Sequence, residues 1–293
     1  MQKIYDRAAQ SVGNIVEIGH VNFLIPDQSL ATLFYVAGLG LTRDPAMMVS
    51  TDNMWVNVGK SQFHLPTGGP VFAPRTRTAL VIPNRKALLE RLHKVAGELK
   101  DTKFSFTESN QCVETTCPWG NRIRIHEPDP ARFGAMQLGM PYVEFEVPYG
   151  SLEAIAEFYR VIFATPAATG ADEHGAFARV ECGARQALIF RESDEPNVIH
   201  KTHHVQIALV DFGGPYERLR ERSLISEESN DVQYRFEEII DLSTGRKLFT
   251  IDHEVRALRH PLVGRRLVNR NPVQTIRNYR EDQDFLEASL PHG

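Results

Sequence analysis

The chain reads as an α+β fold built from four βαβββ modules. Three observations carry that reading. One order of elements recurs four times, each first strand runs into a capped amphipathic helix, and the segments after each helix alternate with strand period. The first module opens with Gly19-His20-Val21-Asn22-Phe23-Leu24-Ile25-Pro26, and Asp27 is the expected N-cap of a helix carrying Leu30, Leu33, Phe34 and Ala37. The second opens at residues 78–83, with Asn84 as cap and Leu88, Leu89, Leu92 and Val95 on the helix face. The third opens at residues 142–148, where Ser151 should cap a helix bearing Leu152, Ile155, Phe158, Tyr159 and Ile162. The fourth opens at residues 204–210, with Asp211 leading into a helix around Tyr216 and Leu219.

Further strands are expected at residues 54–58, 62–65, 103–106, 113–116 and 122–126, and in the second half at 177–181, 187–190, 236–241 and 247–252. Turn signals such as Val58-Gly59-Lys60 and Pro118-Trp119-Gly120-Asn121 separate them. Pairing consecutive modules gives a first domain at 12–130 and a second at 138–270. Residues 128–139 serve as linker, and 271–293 form a polar C-terminal tail.

Composition narrows the function without naming it. The 293 residues carry a net charge of −4, so nothing suggests nucleic acid. No apolar run approaches the roughly 20 residues of a membrane span. The start lacks the apolar region of a signal peptide, and Cys112, Cys117 and Cys182 have no zinc or redox spacing, so reduced thiols in a cytoplasmic protein are expected.

The segment Cys117-Pro118-Trp119-Gly120-Asn121-Arg122-Ile123-Arg124-Ile125 resembles the D-P-x-G-N-x-x-E-L turn and last strand of the vicinal oxygen chelate superfamily. This is the group of glyoxalase I, bleomycin-resistance proteins and type I extradiol dioxygenases. The His20-Val21-Asn22-Phe23 start and its echo His204-Val205-Gln206-Ile207 support the resemblance, which spans about residues 15–265. It implies paired modules whose curved sheets enclose a cup, with metal ligands drawn from the first and last strands of each module.

Matching strands to that pattern gives His20, His64, Arg77 and Arg124 in the first domain. Two imidazoles could ligate a divalent metal (Fe, Mn, Ni or Zn), whereas guanidiniums cannot donate a lone pair. His20 and His64 are therefore an incomplete metal set. All four residues would suit an anion, since an arginine without an acidic partner offers a fork to carboxylate or phosphate. The plainer alternative is that Arg77 and Arg124 pair with nearby carboxylates. In the second domain the positions read Tyr142, Leu188, His204 and Phe249. A shift of two along the last strand would bring Ile251 and His253 inward and put Glu254 on the opposite face, leaving Tyr142, His204 and His253 as candidates. His203 and His204 should point to opposite faces, and with His200 they read as a solvated strand entry. The basic run from Arg256 to Asn271 should salt-bridge to the body or a partner subunit, or else close the second cup.

The expected function is a cup in the first domain that binds a small carboxylated or aromatic molecule, with or without a metal. The alternative is a metal-dependent enzyme of the same superfamily: a ring-cleaving dioxygenase, a lyase or an isomerase. The expected partner is that small molecule, and a homodimer is compatible with a free sheet surface.

Overall fold

A computed structural model describes residues 6–7, 10–48, 50–68, 76–194 and 203–286. The first module runs β1 (Ile15–Asn22), α1 (Gln28–Ala31, continuing π-helical over Thr32–Gly38), β2 (Thr42–Arg43), β3 (Asn53–Val58) and β4 (Ser61–Pro66). The second comprises β5 (Arg77–Val81), α2 (Arg85–Val95), β6 (Ser105–Glu108), β7 (Val113–Thr116) and β8 (Arg122–His126). A short α3 (Pro130–Phe133) leads to the third: β9 (Gly139–Val147), α4 (Leu152–Phe163), β10 (Ala167–Asp172), β11 (Gly175–Cys182) and β12 (Gln186–Glu192). The fourth holds β13 (His204–Leu209), α5 (Gly213–Arg220), β14 (Ile225–Asn230), β15 (Gln233–Ile240) and β16 (Lys247–Ala257). The fourfold repeat is therefore present.

The local signals act through identifiable contacts. Asp27 accepts hydrogen bonds from the Ser29 and Leu30 amides, and Asn84 from that of Ala87. Ser151 does not cap α4; its hydroxyl donates back to the Pro148 carbonyl instead. The α4 face of Ile155, Phe158, Tyr159 and Ile162 is fully buried, as 3.6-residue spacing requires. The strands β2, β10 and β14 carry little apolar signal and lie at sheet edges.

Two eight-stranded sheets form, in the orders β14-β15-β16-β13-β1-β4-β3-β2 and β10-β11-β12-β9-β5-β8-β7-β6. The modules thus pair first with fourth and second with third, rather than first with second and third with fourth, and the boundaries 12–130 and 138–270 do not follow the sheets. Hydrophobic periodicity fixes which face of each module is buried, but every module presents the same kind of first-strand edge. The linker decides the partner: it lays β9 antiparallel beside β5, pairing Val81 with Gly139. β1 is then left to pair antiparallel with β13.

The apolar faces of both sheets lie against the helices in one continuous core, and the opposite, polar faces form two cups. Gln186 ties the sheets together: its side chain accepts from the Ile18 amide and donates to the carbonyls of Ile18 and Met140. Gly59 and Gly183 have positive φ at this junction, and a Cβ would lie 2.1 Å from the carbonyl oxygens of Leu138 and Val16 respectively. The three cysteines are free thiols.

The expected polar tail lies at the surface where it is described, held against the body through Asn269. Asn269 is 3% exposed and its side chain bonds both the amide and the carbonyl of Gly59, while Leu286 N donates to Asn269 O. Residues 287–293 and His200 lie outside the described residues. No helix among the described residues is long and apolar enough to cross a membrane.

Candidate metal centre

Pairing β1 with β13 brings together residues assigned from sequence to different domains. His20 on β1, His64 on β4 and His204 on β13 share the cup of the first and fourth modules. One ring nitrogen from each lies within 4.8 Å of the other two. His20 Nε2 and His204 Nε2 are 3.0 Å apart. Two nitrogens bound at right angles to one ion at about 2.1 Å would be about 3 Å apart, so this spacing suits adjacent ligands.

A β-bulge at Gly19 helps aim His20. A Cβ at Gly19 would lie 1.9 Å from Gln206 Oε1, so a side chain there would have to push the end of Gln206 aside. His64 is set by Trp55, whose ring stacks on it with centroids 3.9 Å apart and planes at 13°. Its buried Nε2 has no hydrogen-bond partner. An orphaned lone pair beside two more imidazole nitrogens is the feature a metal ion would satisfy.

Two carboxylates of β16 lie beside His204. Glu254 Oε2 lies 3.6 Å from His204 Nε2, and Asp252 Oδ2 lies 3.9 Å from His204 Nδ1. Glu254 therefore faces into the cup, correcting the expectation that it lies on the outer face. The expected inward residue, His253, points the other way: its Nε2 is 2.6 Å from the Tyr159 hydroxyl, and its ring stacks on Phe236. A side-chain period of two makes a one-residue error reverse every assignment along a strand. The signal was present in Ile251-Asp252-His253-Glu254-Val255-Arg256, where Asp252, Glu254 and Arg256 share one phase. In a cup the polar phase is the inner one.

Glu254 is held by Arg235 and by Arg256, whose Nη2 is 2.6 Å from Oε1, while Arg235 Nη1 is 2.6 Å from Asp252 Oδ2. Burial, with the Arg235 and Arg256 charges adding to it, lowers the pKa of all three histidines, that of His64 to about 4. They are neutral near pH 7, the form that ligates metals. His203 and His204 do point to opposite faces, but both are buried, at 4% and 7% exposure, so this is not a solvated strand entry. His203 packs against Phe23.

The other sequence-assigned residues lie in the second cup. Arg77 Nη1 pairs with Glu144 Oε1 at 2.5 Å and Arg124 Nε with Glu114 Oε1 at 2.5 Å. The view of both as unpartnered anion ligands is thus corrected to the plainer one: their neighbours on β7 and β9 supply the carboxylates. Tyr142 meets His126 at 3.0 Å. The inward residue on β12 is Ile189, not Leu188, which lies in the core.

A cavity of about 590 Å³ opens above His20, lined by Glu17, Lys60, Gln62, Gln206 and Arg256 and walled by residues 262–269 of the C-terminal segment. The basic run closes this cup, and Arg265 forms an ion pair with the buried Asp44.

No protein-family model matches the chain, and no curated protein matches its sequence. Solved structures do match in shape. Glyoxalase I from Zea mays aligns at 13% identity over 82% of this chain and 92% of its own, with a TM-score of 0.57. A variant of that enzyme aligns at 11% identity over 83% and 94%, with a TM-score of 0.59. A Bacillus subtilis protein provisionally named a dioxygenase aligns at 13% identity over 85% and 87%, with a TM-score of 0.55. The chain has the vicinal oxygen chelate fold, with four βαβββ modules in two cups.

Proposed function

We propose that this protein is a metal-dependent enzyme whose centre is His20, His64, His204 and Glu254, acting on a small anionic molecule. The observation that supports it best is the convergence of three imidazole nitrogens within 4.8 Å, one of them buried and unpartnered, beside a carboxylate. Three neutral histidines and one carboxylate form a donor set suited to Fe, Mn, Ni or Zn. A divalent ion there would act as a Lewis acid toward oxygens of the bound molecule.

The charge balance favours an anionic ligand. Asp252 and Glu254 are offset by Arg235 and Arg256, so a divalent ion would leave the centre net positive. Lys60 and Arg256 add positive charge to the cavity wall. The buried Gln206 Nε2, which has no partner, is a donor available to the ligand. Glu17 can take a proton from it, because burial raises the carboxyl pKa against the opposing pull of Lys60 and Arg256.

A second reading keeps the anion and omits the metal: Arg235 and Arg256 already clasp Glu254, and the cup would then only bind. Metal analysis of protein purified without chelator separates the two. The enzyme reading expects one Fe, Mn, Ni or Zn ion per chain, lost in His20→Ala and His64→Ala while both variants stay folded. Metal-free protein that does not take up any of these ions on titration would contradict it.

A further inference from the structure

The second cup holds a larger cavity, of about 1010 Å³, which the metal centre does not use. Its lining includes Glu114, Glu144 and Glu173, and its apolar part is a patch of Phe133, Pro141, Tyr142 and Ile189. Tyr142 is bonded to His126 and Arg124 to Glu114, while His126 Nδ1 is buried without a hydrogen-bond partner.

The rim is different. Arg132 and Arg185 both line the cavity, and neither has a carboxylate partner among the described residues. Arg132 lies over the Phe133 ring with its guanidinium carbon 4.9 Å from the centroid, and Arg185 is half-buried beside Gly134. The other rim arginines are spoken for: Arg191 by Asp172 and Glu144, and Arg179 by Glu181. Two guanidinium forks without a carboxylate partner, beside this aromatic and aliphatic patch, match one kind of molecule, with an anionic head and a flat or aliphatic body.

We infer that the second cup is a separate binding site for a small organic carboxylate, its carboxylate held by Arg132 and Arg185 and its body resting on Phe133, Pro141, Tyr142 and Ile189. The site needs no metal and is independent of the first cup.

Calorimetric titration of the full chain with benzoate, benzamide and inorganic phosphate tests this. Benzoate should bind saturably and benzamide should not. Arg132→Gln and Arg185→Gln should each weaken benzoate about tenfold, and His64→Ala should leave it unchanged. Arg132 is exposed, so its replacement leaves the fold intact. Absence of benzoate binding would overturn the inference, as would binding that survives the double variant or disappears in His64→Ala. Phosphate binding as tightly as benzoate would overturn the role of the apolar patch.

Discussion

At the four strand positions where the first cup carries His20, His64, His204 and Glu254, the second carries Arg77, Arg124, Tyr142 and Ile189. The pairing registers are the same. His20 lies opposite Gln62 and Gln206, and Arg77 opposite Arg122 and Glu144. Glu254 lies beside Gln206 as Ile189 lies beside Glu144. A repeated fold therefore needs only its apolar face conserved in kind, because that face fills the core. The cup face is free to diverge, and here one copy gathers metal donors while the other gathers arginines and paired carboxylates.

The largest effect that would sharpen this contrast comes from Glu254→Ala. Glu254 is 4% exposed and carries two arginines, so its loss leaves buried charge unpaired and should cost about 3–5 kcal/mol in denaturant unfolding. A loss below about 1 kcal/mol would mean the clasp is not the buried network described.

The second cup should respond to acid through His126. Burial first, and then Arg132 and Arg124, lower its pKa to about 4 from an ordinary 6.5. The unfolded chain then binds the extra proton first, so stability falls as the pH drops from 6.5 towards 4 and levels off below that. The full contribution is at most about 3.5 kcal/mol, from about 1.4 kcal/mol per pKa unit. Urea unfolding between pH 7 and 4 should show a shallower decline for His126→Gln than for the parent chain; parallel curves would contradict the assignment.

Gly19→Ala in the first cup comes next. The new methyl must displace Gln206, at about 1–3 kcal/mol, and should weaken ligand binding in that cup without changing the second. A neutral result in thermal unfolding would show that Gln206 can swing away freely. The smallest effect belongs to Arg124→Ala, about 1 kcal/mol, because its partner Glu114 is 34% exposed and rehydrates. A loss rivalling that of Glu254→Ala would make the two cups electrostatically alike.

The sequence made much of this legible. Spacing of apolar residues located the four modules, residue type the caps Asp27 and Asn84, and the family resemblance the inward phase of β1, β4, β5, β8, β9 and β13. It missed β10 and β14, whose exposed edges carry no apolar alternation. Glu254 was hidden because strand alternation says which residues share a face and not which face is the cup. The joining of His204 to His20 and His64 was hidden for a topological reason. Four modules with equivalent first-strand edges can pair in more than one way, and the linker around Phe133 and Leu138 makes the choice.

That choice can be tested through metal content. His204 belongs to the fourth module, and it can hold the same ion as His20 and His64 only if the first and fourth modules share a sheet. Elemental analysis of the parent chain, His204→Ala and His126→Ala, each refolded with the same metal and dialysed, should give one ion per chain, none in His204→Ala, and one in His126→Ala. A full complement of metal in His204→Ala, or its loss in His126→Ala, would contradict the assignment of the centre to the first cup.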